Sequence, residues 1–204
     1  MESSSSSAGV ITVAIVVRAQ DGVFQPMLLA PLGARYATTL YRLTGCVLRK
    51  IVPDGMTPCI SSLSDLPADI FVFVNVPIET ANHMFLEALV EQTMRQDCGV
   101  ASGILIDDKR LILHSGWETN PDGTSMDRYA GQAFQPMTVR GIRSVTGVSP
   151  HFFAVRRGQL LAAGGLAVLS SDRMPELLRR LVDVTRAAGL KVVVTPYAVA
   201  TAAS

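Results

Sequence analysis

The sequence predicts an α/β fold, a mostly parallel central sheet flanked by helices, and three observations lead there. Of the 204 residues, 49% are hydrophobic and only 17% are charged, which suits strands buried on both faces better than a one-sided sheet. Short β-branched runs recur at residues 10–17, 68–75, 99–106 and 191–195, each bounded by Gly, Asp, Asn or Pro. Amphipathic helical spacing lies between the runs, most clearly at residues 79–94 and in the stretch that ends at Gly189.

Bulk properties narrow the class further. The length fits one domain over residues 10–204, preceded by a disordered Ser-rich tail at residues 1–9 that lacks the basic region of a signal peptide. A net charge of +1 with no run of Lys or Arg argues against a nucleic-acid partner. Cys46, Cys59 and Cys98 are odd in number and widely spaced, which disfavours a disulfide framework or a structural zinc site and suits a reducing cytosol. The longest apolar run, residues 10–17, is far too short to span a bilayer. No internal repeat or linker is visible.

Taken in order, residues 10–17 read as a central strand, broken by Asp21-Gly22. Asp21 has two readings: the acid of the first loop at a strand's carboxyl end, where ligands bind in such folds, or an ordinary Asp-Gly turn. Residues 34–43 read as a helix stopped by Gly45, residues 46–52 as a strand, and Pro53-Asp54-Gly55 as a turn. Residues 68–75 form a buried strand, followed by a helix over residues 79–94 capped by Thr80. Residues 99–106 form a strand turned at Asp107-Asp108, with residues 110–114 as its hairpin partner, and residues 118–143 read as one long loop. In the last third, residues 151–155 form a strand that ends in Arg156-Arg157, and a short helical segment closes at Gly164-Gly165. A longer helix then ends at Gly189, and a final strand stops at Pro196. No G-x-G-x-x-G follows the first strand, so a dinucleotide-binding oxidoreductase is disfavoured.

Several segments recur as a set: A-D-I-F-V-F-V-N-x-x-I-E from Ala68, L-I-L-H-S-G-W ending at Trp117, T-G at Gly147, R-R at Arg156-Arg157, G-G at Gly164-Gly165, and A-G-L-K-V-V-V-T-P-Y-A from Ala188. Their order resembles the inverting family 2 glycosyltransferases over residues 67–198, roughly two thirds of the chain. The resemblance implies a GT-A (nucleotide-diphospho-sugar transferase) fold with a shortened amino-terminal half. It implies transfer of a sugar from a nucleotide-sugar donor to a glycan or lipid-linked acceptor in polysaccharide or O-antigen assembly. The setting it implies is cytoplasmic or peripheral at the inner membrane face, with a partner protein or a second copy as a further expectation. A catalytically inactive relative that binds a sugar, a nucleotide or a partner is the alternative.

Such transfer needs a carboxylate to deprotonate the acceptor and positive charge on the leaving diphosphate. By resemblance the metal, Mg²⁺ or Mn²⁺, belongs beside Asn75 and Glu79, yet Pro77 stands where the family has its metal-binding Asp. Asn75 and Glu79 read equally as a strand end and a helix start. The family's acidic pair aligns with Leu178, Arg179 and Arg180, which leaves Asp172 as the candidate base, with N-terminal capping as its other reading. Asp183 reads as part of a solvated helix face. His114, at a strand end, is a candidate catalytic residue with a structural role as its alternative, and His151 reads as a core or edge residue. Arg156 and Arg157 are candidate diphosphate contacts, with Arg140 and Arg143 as weaker ones. Gly147, Gly164 and Gly165 are expected to permit close backbone approach near the acceptor.

Overall fold

A computed structural model of the chain describes residues 11–18, 36–44, 47–52, 55–56, 59–76, 78–82, 84–135, 139–165 and 174–203. The expectations for the amino-terminal tail, Asp21 and Asp172 lie outside these residues.

The first β-branched run forms β1 (Thr12–Arg18), which pairs in parallel with β2 (Ala37–Thr44) on one side and β5 (Ile70–Val74) on the other. Beyond β2 the sheet continues through β3 (Val47–Val52) and β4 (Gly55–Met56), both antiparallel to their neighbours. On the far side of β5 lies β12 (Phe152–Arg156), antiparallel both to β5 and to β7 (Cys98–Ile106). Next comes β13 (Lys191–Ala202), parallel to β7. Thus β2, β1, β5, β7 and β13 all point the same way, and β12 is reversed among them. Short strands complete the edges: β6 (Ile78–Ala81) and β11 (Arg143–Ser144) on β13, and β8 (Ile112–His114) on β7. The architecture is α/β with a mixed 11-stranded central sheet.

Period-two alternation divides the core between two faces. Val13, Ile15, Val72 and Phe152 point to the face covered by α1 (Phe85–Met94), through Phe85, Leu86 and Leu89. Ala14, Val16, Phe73 and Phe153 point to the other face, against α2 (Arg157–Ala162) and α3 (Met174–Ala187). Helices therefore pack on both faces, as expected. The α3 spacing is regular: Met174, Leu177, Leu178, Leu181 and Val182 are buried, while Glu176, Arg179, Arg180 and Asp183 lie on the opposite side. Fully burying each such aliphatic chain is worth about 1.5–3 kcal/mol, which is what docks α3. Pro175 fits the first turn, where its missing N–H costs nothing.

Four sequence expectations are corrected. The helix expected over residues 34–43 is strand β2. Tyr41 and Leu43 point to one core, Leu40 packs against the other, and Arg42 between them is exposed; pairing beside β1 outweighs weak helical spacing. The helix expected from Glu79 starts at Phe85. Ile78–Ala81 is strand β6 on β13, and the Thr80 hydroxyl bonds that of Thr201 (3.0 Å) instead of capping a helix. The last strand runs through Pro196 to Ala202, because the register shifts between Val194 and Val199 and frees the proline from the ladder. Finally, the stretch of residues 118–143 contains a small hairpin, β9 (Glu118–Thr119) with β10 (Ser125–Met126), as well as the start of β11.

One close approach fixes that irregularity. A Cβ at Gly103 of β7 would lie 2.1 Å from the Ala198 carbonyl oxygen, so only glycine lets β13 pass β7 at its bulge.

Candidate functional site

The carboxyl ends of β1, β5 and β7 share one edge of the sheet, and the amino end of reversed β12 meets them there. This juxtaposition brings together side chains from four parts of the chain. Asn75 follows β5; its backbone N–H donates to the His151 carbonyl (2.7 Å) and its Nδ2 to the Pro150 carbonyl (2.7 Å). Nδ2 also lies 3.8 Å from the Met174 sulfur at the head of α3. His114 ends β8, and its ring lies 4.7 Å from that of His151 and 5.9 Å from that of Trp117, centroid to centroid.

Burial disfavours the charged form of both histidines. Burial pushes the His114 pKa below its ordinary value, with the nearby Asp127 carboxylate partly opposing the shift. Burial lowers His151 too, and His114 adds to the effect. Asp127 is itself held firmly: its carboxylate accepts from the Ser115 N–H and hydroxyl and from the Tyr129 N–H. His114 Nδ1 lies 3.9 Å from Asp127, beyond hydrogen-bond reach. Both His114 Nδ1 and Asn75 Oδ1 are buried without a hydrogen-bond partner, the kind of unmet polar demand that a ligand or water satisfies.

Beside this cluster a groove of about 480 Å³ runs along α3, within the ordinary range of small-molecule sites. One wall comes from Trp117, Thr146, Gly147, Val148 and Pro150; the other comes from Pro175, Leu178, Arg179, Val182 and Asp183 on α3. Local bonding explains the first wall. The Trp117 N–H donates to the Gly147 carbonyl (2.9 Å), and the Trp117 carbonyl accepts from the Thr146 N–H (2.7 Å) and hydroxyl (2.8 Å). The H-S-G-W and T-G segments therefore form a bridge that holds the Trp117 backbone. Arg186 closes the far end by donating to the Thr146 carbonyl (3.1 Å).

The predicted site residues divide accordingly. Gly147 lines the groove, and His114 and Asn75 lie beside it, next to Trp117 and Pro150 respectively. Glu79 is carried onto β6, exposed. Arg156 and Arg157 are at the opposite end of the sheet, because β12 runs backwards. Arg156 Nε donates to the Thr93 carbonyl (2.8 Å) and its Nη2 to that of Arg95, while Arg157 Nη1 donates to the carbonyls of Leu66 and Ala68. They hold backbone and do not join the groove. Gly164 and Gly165 end α2 with positive φ, Gly165 against Leu63, and neither lines the groove. Arg143 is turned inward, onto Glu118, the Ser115 carbonyl and the Tyr129 ring; Arg140 is exposed.

The residues that sequence reasoning missed are Trp117, His151 as a partner of His114, and Asp183 as a groove residue. The signal for Trp117 was present: a lone tryptophan after a strand-ending H-S-G.

Hard cations need several oxygen ligands, commonly carboxylates. The end of β5 supplies one unpartnered amide oxygen, and no group of three His, Cys, Asp or Glu side chains converges among the described residues. The described donors do not fit Mg²⁺ or Mn²⁺. No helix among the described residues is long and apolar enough to cross a membrane. The sequence matches no family model and no curated protein.

Proposed function

We propose that this chain is a family 2-like glycosyltransferase domain of the GT-A type, taking a nucleotide-sugar donor and a glycan or lipid-linked acceptor. The observation that carries this reading is the convergence of two resembling segments on one helix. Trp117 of H-S-G-W and Gly147 of T-G are well separated in sequence, yet they line one groove with α3, and the Met174 end of that helix meets Asn75 at the carboxyl end of β5, where ligands bind in such folds. In the reaction an acceptor hydroxyl gives its proton to a carboxylate and its oxygen attacks the anomeric carbon. The bond to the diphosphate breaks, and the nucleoside diphosphate leaves with the electron pair. Asp172 is the candidate base that remains, since the acidic pair of the resemblance falls on Leu178, Arg179 and Arg180.

The test is a panel of nucleotide sugars, with and without Mn²⁺, read by melting temperature and by release of nucleoside diphosphate. At a ligand concentration of 100 times Kd, binding linkage gives about 2.7 kcal/mol, a rise of several degrees. No shift and no release with any donor would sink the reading. A second reading, an inactive sugar- or nucleotide-binding relative, is favoured by one feature: Leu178 and Arg179 line the groove where the resemblance expects acids. It predicts the shift without turnover, and with Asp172→Asn leaving the shift intact.

A further inference from the structure

The groove beside α3 has a lining that neither the donor nor the transfer chemistry explains. Its floor is apolar, from Trp117, Val148, Leu178 and Val182, and its rim carries hydroxyls and charged groups. The Trp117 backbone is pinned on both sides by Thr146 and Gly147, so no backbone ordering is needed there on binding. Gly147 has no side chain to cover it: a Cβ there would come within 3.6 Å of the indole Cδ1.

The rim is close to neutral. Arg179 is compensated by Glu176 at 2.9 Å and by Asp183 at 3.7 Å. The latter distance exceeds a hydrogen bond, so the Asp183 carboxylate, 63% exposed, keeps its acceptor positions open to the groove. Arg186 uses one N–H on the Thr146 carbonyl and has others to donate.

We propose that this groove is a carbohydrate-ring subsite in which Trp117 stacks on the apolar C–H face of a sugar while Asp183 and Arg186 bond its hydroxyl edge. A pyranose is two-faced in the same sense as the groove, apolar across the ring and polar around it. A lipid chain would leave the hydroxyl rim unused, and a nucleotide's phosphates would meet an Arg179 already paired with Glu176 and the like charge of the Asp183 carboxylate. The inference rests on the glycosyl-transfer reading only in taking the bound ring to be the acceptor.

Trp117 is the only tryptophan of the chain, so its emission reports the groove directly. The full chain is titrated to millimolar concentration with cellotriose, chitotriose and mannotriose, and separately with UDP and GDP. The expected result is a saturable change in emission with at least one trisaccharide. Asp183→Ala weakens that response about tenfold, and by calorimetry Trp117→Ala does the same. Trp117→Phe serves where the alanine variant fails to fold, and far-UV circular dichroism verifies the fold of each variant. The proposal is overturned if all three trisaccharides leave Trp117 silent, or if Asp183→Ala binds as the parent does. It is also overturned if UDP or GDP alone reproduces the response. Silence toward trisaccharides beside a nucleotide-sugar melting shift removes the subsite and leaves the transferase reading. Trisaccharide binding without any nucleotide-sugar shift supports the subsite and removes the transferase reading.

Discussion

At the amino end of the sheet, Arg156 and Arg157 direct their guanidinium groups onto backbone carbonyls of Thr93, Arg95, Leu66 and Ala68. At the carboxyl end, Asn75 Oδ1 and His114 Nδ1 are buried with nothing to bond. Both ends hold polar side chains supplied by β12 and its neighbours, and the two sets serve opposite purposes. Satisfied polar groups fix one backbone arrangement, while unsatisfied ones are a cost that a fold bears where it meets a ligand. The difference teaches that residue type alone does not mark a site. An arginine pair at a strand end is a clamp when the strand runs one way and a ligand contact when it runs the other.

That contrast can be broken most severely where the two ends share a strand. Gly103→Val places side-chain atoms against the Ala198 backbone. It should cost about 3 kcal/mol or more, seen as a lower urea midpoint or as failure to fold. Next comes the amino end. Arg157→Leu removes the guanidinium donor from the Leu66 and Ala68 carbonyls, the former keeping its bond from the Ala68 N–H, and should cost about 1–3 kcal/mol. Ligand-linked melting shifts should stay as in the parent; a lost shift would show that the clamp also shapes the groove.

The carboxyl end should respond to pH. His114 and His151 have folded-state pKa values below their unfolded ones, so the unfolded chain binds protons first as pH falls. Their contribution is fully present above the unfolded value of about 6.5 and is lost as pH drops through it. Melting temperature should therefore fall between about pH 7.5 and about pH 5.5. A His151→Phe variant should show a shallower fall, and an equal slope would mean that the pair is not coupled to folding. The smallest effect is expected on the exposed face of α3, where Asp183→Asn should leave the unfolding midpoint unchanged within error.

The sequence carried the buried strands well. β1, β5, β7 and β12 are β-branched or aromatic runs with clear punctuation, and α3 has regular apolar spacing closed by Gly189. Strand direction was not legible, because β12 reads the same whether it lies parallel or antiparallel in a sheet, and that ambiguity misplaced Arg156 and Arg157. Strand β6 was hidden because Ile78-Glu79-Thr80 is too short for its period to speak, and its partner on β13 arrives far later in the chain, with Ala81 in register with Ala200. At the site, His114, Asn75 and Gly147 were legible as strand ends and a turn. Trp117, His151 and Asp183 were not, because their roles depend on segments that meet only once Thr146 and Gly147 bridge Trp117.

The placement of β7 has a consequence for how the molecule is made. All nine of its residues are buried, yet its two long neighbours, β12 and β13, both follow it in the chain. During synthesis β7 has only the short β8 to pair with at first; one edge waits for β12 and the other for β13. Such an intermediate is prone to edge pairing with other chains. Final closure by β13 then becomes a long-range, slow event, and truncation ahead of Lys191 would leave a sheet that cannot seal.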